Sequence, residues 1–158
     1  MDMRLILMRH GKAEAAEDGA DDHARRLVDA GARQAEATAA ALRERGYTPD
    51  AALCSDAARA VETLVAADFG IAEHRVLFDR GLYGGAVHTL PRLGDHLPAD
   101  VATLVVVGHN PELEAIVRGL SGVLVALGTG DAAVLERKGP GWKDRLTAGW
   151  SFVGVFRG

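Results

Sequence analysis

The chain has 158 residues, 48% of them hydrophobic and 25% charged, the makeup of one folded domain with its own core, which excludes a disordered or fibrous chain. Eighteen basic against 22 acidic residues give a formal net charge of −4, the wrong sign for a bulk electrostatic grip on nucleic acid, so an anionic ligand needs a local basic pocket. The one cysteine, Cys54, allows neither an intrachain disulfide nor a multi-cysteine metal site and fits a reducing compartment.

Arg4 to Met8 reads as a short buried strand, and Gly11 to His23 as a polar loop whose acids (Glu14, Glu17, Asp18, Asp21, Asp22) form a solvated face. Asp29 is the expected cap of a helix running to about Arg45 and ended by Gly46, with Ala35, Thr38, Ala39 and Leu42 at helical spacing. Asp50 to Cys54 is a second strand, and Ser55 the expected N-cap of a helix from Asp56 to about Phe69, closed by Gly70. Arg75 to Phe78 is a third strand, followed by the Gly-rich loop Gly81–Gly85. Leu90, Leu93 and Leu97 then predict a helix with Pro91 near its first turn.

Thr103 to Val107 is the clearest buried strand, a largely β-branched run bounded by Gly108. Asn110-Pro111 pairs a cap residue with a proline and starts a helix to about Leu120. Ala132–Arg137 and Ser151–Arg157 are strands, with turns at Gly139-Pro140-Gly141 and Ala148-Gly149. Strand and helix alternate and then strands stand alone. The expected architecture is an α/β three-layer sandwich: a mostly parallel sheet, helices on both faces, and antiparallel strands at the C-terminal edge. The apolar runs Leu5–Met8, Leu104–Val107 and Val123–Leu127 are too short for a signal-peptide core or a membrane span, so the expectation is a soluble, cytoplasmic protein.

Ligands of open α/β sheets bind beyond the carboxyl ends of the strands. There the chain places Arg9-His10-Gly11, Ser55 with Arg59 behind it, and Gly108-His109-Asn110-Pro111. Two histidines and two arginines would face one crevice. Arginine offers a planar fork of donors that matches phosphate oxygens, and a neutral imidazole is a competent nucleophile. These types fit phosphoryl transfer, which rests on positioning and charge neutralisation. A lone histidine at either position reads as structural; the pair beside Arg9 reads as functional. A metal site on His10 and His109 would need carboxylates nearby, and flanking arginine repels a cation. Gly128-Thr129-Gly130-Asp131-Ala132-Ala133 spells G-x-G-x-x-A, but a strand follows it, so it reads as a turn. Cys54 reads as a small buried hydrophobe.

Leu7-Met8-Arg9-His10-Gly11 resembles the R-H-G signature of the histidine phosphatase superfamily, whose fold is phosphoglycerate mutase-like. Ser55-Asp56-Ala57-Ala58-Arg59-Ala60-Val61-Glu62-Thr63 is similar to its second block, S-x-x-x-R-A-x-x-T, and Val107-Gly108-His109-Asn110-Pro111 to its third, V-G-H-N-P. The length and the tail, with Gly128–Asp131 before a strand and Trp142 in a late turn, resemble the SixA-type phosphohistidine phosphatases. The resemblance implies that His10 attacks phosphorus, that Arg9, Arg59 and His109 hold the phosphoryl oxygens, and that water then frees His10. Gly11, Arg25, Ser55 and Asn110 are the expected substrate-binding positions. No metal or other cofactor is implied.

Two departures inform the substrate. Many superfamily members carry a glutamate after the third strand as general acid; here Phe78-Asp79-Arg80-Gly81-Leu82-Tyr83 offers only Asp79 as a candidate. An alkoxide leaving group needs a proton in the transition state, whereas the imidazole of a phosphohistidine leaves neutral. Second, Arg25-Arg26-Leu27-Val28 stands where R-P-L-T is usual. With no long insertion to form a lid, the site is expected to be shallow and open to a phosphohistidine-bearing signalling protein. The alternatives are a small-molecule phosphatase or mutase-like enzyme, and a non-catalytic phosphate-binding module.

Overall fold

The computed structural model describes residues Met1–Gly158. Its strands are β1 (Met3–Arg9), β2 (Ala51–Ser55), β3 (Val76–Asp79), β4 (Thr103–Gly108), β5 (Ala132–Arg137) and β6 (Ser151–Phe156). Its helices are α1 (Asp29–Glu44), α2 (Ala58–Ala67), α3 (Ala86–Gly94) and α4 (Glu112–Ser121). The strands form one sheet in the order β3-β2-β4-β1-β5-β6. The first four are parallel, and β5 and β6 run antiparallel to their neighbours, so the α/β sandwich with its antiparallel C-terminal edge is the fold observed.

A strand covered on both faces needs no polar alternation. In β1, Met3, Leu5 and Leu7 enter one core and Ile6 and Met8 the other, all fully buried. Leu104 and Val106 of β4 share the first core with Leu90 and Leu93 of α3 and Leu113, Ile116 and Val117 of α4. Val105 and Val107 face the second, with Ala35, Ala39 and Leu42 of α1 and Ala60 and Ala67 of α2. The alanines let α1 and α2 lie close together over the sheet. Trp142 and Trp150 stack with ring centroids 5.7 Å apart, and Trp142 Nε1 donates to the Val101 carbonyl, fixing the tail on the first core. No helix is long and apolar enough to cross a membrane.

This topology makes the crevice. The chain leaves β1 toward α1 on one face and leaves β4 toward α4 on the other. β1 and β4 are neighbours, with Arg9 opposite Gly108. Their carboxyl ends therefore open between diverging connections, where ligands of such sheets bind.

Several boundaries differ from expectation. α1 begins at Asp29 itself, after Val28. Ser55 ends β2 instead of capping a helix; α2 starts three residues later, after Ala57, and closes on Asp68 in the left-handed region, not at Gly70. Pro91 lies well inside α3, which ends at Gly94, before Leu97. Asn110 does not cap α4, which starts after Pro111; its Nδ2 donates to the Leu127 carbonyl 2.9 Å away and its Oδ1 has no partner.

Candidate active site

His10 follows β1 directly. Its N–H donates to the Gly108 carbonyl at the end of β4 (3.1 Å), and its carbonyl accepts from Gly130 N (2.9 Å) in the turn before β5. Its Nδ1 lies 2.8 Å from the Gly11 carbonyl. A carbonyl only accepts, so Nδ1 carries the proton and Nε2 keeps its lone pair. Gly11 is required by close approach, since a Cβ there would strike the Gly31 carbonyl in α1. Its N–H donates to Thr63 Oγ1 (3.0 Å), and the Thr63 hydroxyl donates to the Arg59 carbonyl (2.7 Å). Thr63 thus couples the turn after His10 to the helix that carries Arg59.

Register alone puts His109 beside His10, and their ring centroids are 5.1 Å apart. Ser55, at the end of neighbouring β2, meets His109 Nε2 at 2.8 Å while its Oγ accepts from Ala57 N. The serine hydroxyl needs an acceptor, and His109 Nε2 is the one it has. His109 then carries its proton on Nδ1, a buried donor without a partner. Arg9 donates from Nη1 to the Leu127 carbonyl (2.9 Å), which Asn110 shares, and the Leu127 N–H is held by Glu114.

Arg59, in the first turn of α2, sends Nε–H toward His10 Nε2 (3.4 Å). Its Nη1 donates to the Asp22 carbonyl (2.7 Å) and its Nη2 to Asp22 Oδ2 (3.0 Å). Arg25 reaches the same carboxylate from Nε (2.8 Å) and the Glu14 carbonyl from Nη1. Arg9, His10, Arg25, Ser55, Arg59, His109 and Asn110 thus gather at one end of the sheet. Asp79, the candidate general acid, has a local partner. Its Oδ1 accepts from Gly81 N (2.7 Å) and caps the turn after β3.

The shallow, uncovered site expected from the chain's length is not what the structure shows. His10, Arg59 and His109 are 9%, 5% and 7% exposed. The segment after β1 folds back over them, and Tyr83 closes the other side. The Tyr83 hydroxyl donates to Asp22 Oδ2 (2.7 Å), and its ring stands edge-on to His109 with centroids 5.4 Å apart. Asp22 stays exposed, and its carboxylate also bonds Arg59, Arg25 and Tyr83. His23 bonds Asp56 Oδ1 from Nε2 at 2.6 Å and packs edge-on against Tyr83. Sequence reasoning missed Asp22, Tyr83 and the His23–Asp56 contact. Only Tyr83 carried a signal, its place in the Gly-rich loop.

Burial, followed by the charges of Arg59, Arg9 and Arg25, pushes His10 down to about 4 against the pull of its Gly11 hydrogen bond. Burial, followed by His10 and Arg59, pushes His109 down to about 3. Both rings are neutral at pH 7. Imidazole NMR signals of His10 and His109 are expected to titrate with midpoints near 4 and 3; a midpoint near 6.5 for His10 would contradict the geometry. The linkage has a sign. Folded values below the unfolded 6.5 mean that the unfolded chain binds more protons, so this stability is complete above 6.5 and is lost as pH falls toward 4 and 3. Cys54, buried in the second core, is pushed up to about 12, first by burial, and is an inert packing residue.

The arrangement is a neutral imidazole with a directed lone pair, three guanidinium groups and an unpartnered imidazole N–H. It can receive a phosphoryl group on nitrogen and neutralise its oxygens. A family model described as histidine phosphatase superfamily (branch 1) matches residues 5–82. An uncharacterized protein of Mycobacterium tuberculosis is 41% identical over 134 residues, 82% of this chain and 77% of its own length. A solved structure from Nakamurella multipartitia, provisionally named phosphohistidine phosphatase SixA, is 34% identical with a TM-score of 0.83, over 98% of this chain and 95% of that one. Another with that provisional name, from Agrobacterium tumefaciens, is 29% identical with a TM-score of 0.75, over 97% and 96%.

Proposed function

The chain belongs to the histidine phosphatase superfamily and is a phosphatase, and we propose that it works through a transient phosphohistidine on His10 and takes its phosphoryl group from a phosphohistidine on a protein. His10 Nε2 bonds to phosphorus as the substrate's N–P bond breaks. The leaving imidazole departs neutral when its other nitrogen is protonated, so the enzyme donates no proton in this step. Arg9, Arg59 and the His109 Nδ1–H take up the charge of the equatorial oxygens, with Arg25 at the rim. Water then attacks the phosphorylated His10, the Nε2–P bond breaks, and phosphate leaves. Ser55, Thr63 and Asn110 act as positioning residues: Ser55 sets the His109 tautomer, Thr63 ties Arg59 to the turn after His10, and Asn110 holds with Arg9 on the Leu127 carbonyl.

One observation carries the substrate class: the two carboxyls nearest the site, Asp79 and Asp22, are both engaged as hydrogen-bond acceptors. Asp79 is spent as a cap. The Tyr83 hydroxyl, with Arg25 and Arg59, holds the Asp22 carboxyl well below the usual carboxylate range. An alkoxide leaving group would lack general-acid help worth about 10²–10⁴-fold. A substrate panel with His10→Ala as control is the test. A phosphohistidine protein is expected to exceed a sugar phosphate in kcat/KM by about 100-fold or more; equal turnover would defeat this preference.

The burial of His10, Arg59 and His109 favours a second reading, a small-molecule phosphatase or mutase-like enzyme. Product analysis with a bisphosphate separates hydrolysis from return of the phosphoryl group to a second position.

A further inference from the structure

All three side-chain nitrogens of Arg59 have a partner, with one N–H left over on each of Nη1 and Nη2. Nε faces His10 Nε2, Nη1 the Asp22 carbonyl, and Nη2 the Asp22 carboxylate. The same carboxylate takes the Nε of Arg25 and the hydroxyl of Tyr83. A single anion therefore engages two of the three guanidinium groups that surround His10. The Asp22 carboxylate meets Arg59 through one oxygen, on Nη2, much as one phosphoryl oxygen would, and its other oxygen meets Arg25 Nε. Held in this way, the Arg59 Nε–H points at the lone pair that must attack phosphorus.

We propose that the Asp22 carboxylate is an internal stand-in for the phosphoryl group, a latch that holds Arg59 over His10 and that an incoming phosphoryl group must displace. The proposal rests on the reading of His10 as nucleophile. The latch opens by rotation of the side chain, not by loss of the loop. Asp22 is 46% exposed in its side chain, so its carboxylate has solvent to enter. The backbone beside it is pinned. His23 is bonded to Asp56, Arg26 and the Leu27 N–H are bonded to Glu62, and Ala13 bridges to Leu27. The Asp22 carbonyl stays on Arg59 Nη1 when the carboxylate leaves, which keeps the guanidinium within reach of the incoming oxygens.

A site that is competent for only a fraction of the time binds its ligand more weakly by that fraction. A latch closed about nine-tenths of the time weakens phosphate binding about tenfold. The test is calorimetric titration of wild type, Asp22→Asn and Tyr83→Phe with inorganic phosphate at neutral pH. Asp22→Asn keeps the shape and removes the charge; Tyr83→Phe removes one hydrogen bond from the latch and leaves every charge in place.

The expected result is about tenfold tighter phosphate binding in Asp22→Asn, a smaller gain in Tyr83→Phe, and a fall in KM that follows each. Unchanged or weaker binding in Asp22→Asn would overturn the latch and make Asp22 a residue that merely positions Arg25 and Arg59. Failure of wild type and both variants to bind phosphate would instead overturn the phosphoryl site itself. The substrate preference enters neither outcome.

Discussion

Replacing His10 by alanine is expected to abolish labelling of the protein by a radioactive phosphoryl donor and to lower hydrolysis by about 10⁴-fold or more. The size of the effect follows from how completely this imidazole is prepared. Its backbone is clamped between the end of β4 and the turn before β5. Its Nδ1–H is committed to the Gly11 carbonyl, so the lone pair sits on Nε2 alone. Its low folded value keeps it neutral across the physiological range. No neighbour can replace it, because His109 Nε2 is held by the Ser55 hydroxyl and its other nitrogen carries a proton. Label on wild type that is released by acid and absent from His10→Ala is the signature of the phosphorylated imidazole. No label on wild type, or equal label on His10→Ala, would mean a phosphate-binding module without catalysis. Thermal unfolding of the variant confirms that the loss is chemical and not structural.

The elements were legible in sequence because strands buried on both faces leave unbroken apolar runs. Leu5–Met8 and Leu104–Val107 fit the middle of a covered sheet, where the structure puts them. The strand ends were legible for the same reason, and with them His10, Ser55 and His109. Misreadings arose where a side chain had a local use and a distant one. Ser55 and Asn110 are good helix caps by type, yet one is drawn to His109 and the other to the Leu127 carbonyl, 54 and 17 residues away. Local rules weigh only the local partner. Asp22 is the extreme case. Among the acids of its loop nothing marks it, since its partners Arg59 and Tyr83 lie 37 and 61 residues further along the chain. The lid was misjudged because length was read as the measure of cover. Here the connection from β1 to α1 and the Gly-rich loop supply it, with no inserted segment.

Arg59→Lys is expected to lower kcat/KM by about 10²–10³-fold, although the charge is kept. An exposed ion pair of this kind would contribute only about 0.2–1 kcal/mol, and the substitution would then be nearly silent. Arg59 is not in that class. It is 5% exposed, it is fixed to its own helix turn through Thr63, and its three nitrogens point to three different acceptors. An ammonium is a compact point charge and cannot face His10 and two oxygens together. It also demands hydration that a buried position does not supply. Kinetics of wild type and variant on one phosphorylated substrate decide the matter, and a loss below tenfold would place Arg59 outside the reacting centre. The double variant with Asp22→Asn adds a second measurement. If the carboxylate acts through the guanidinium fork, the gain in phosphate affinity from Asp22→Asn disappears when lysine stands at position 59. Additive effects would mean that the two residues, though bonded, act on the phosphoryl group separately.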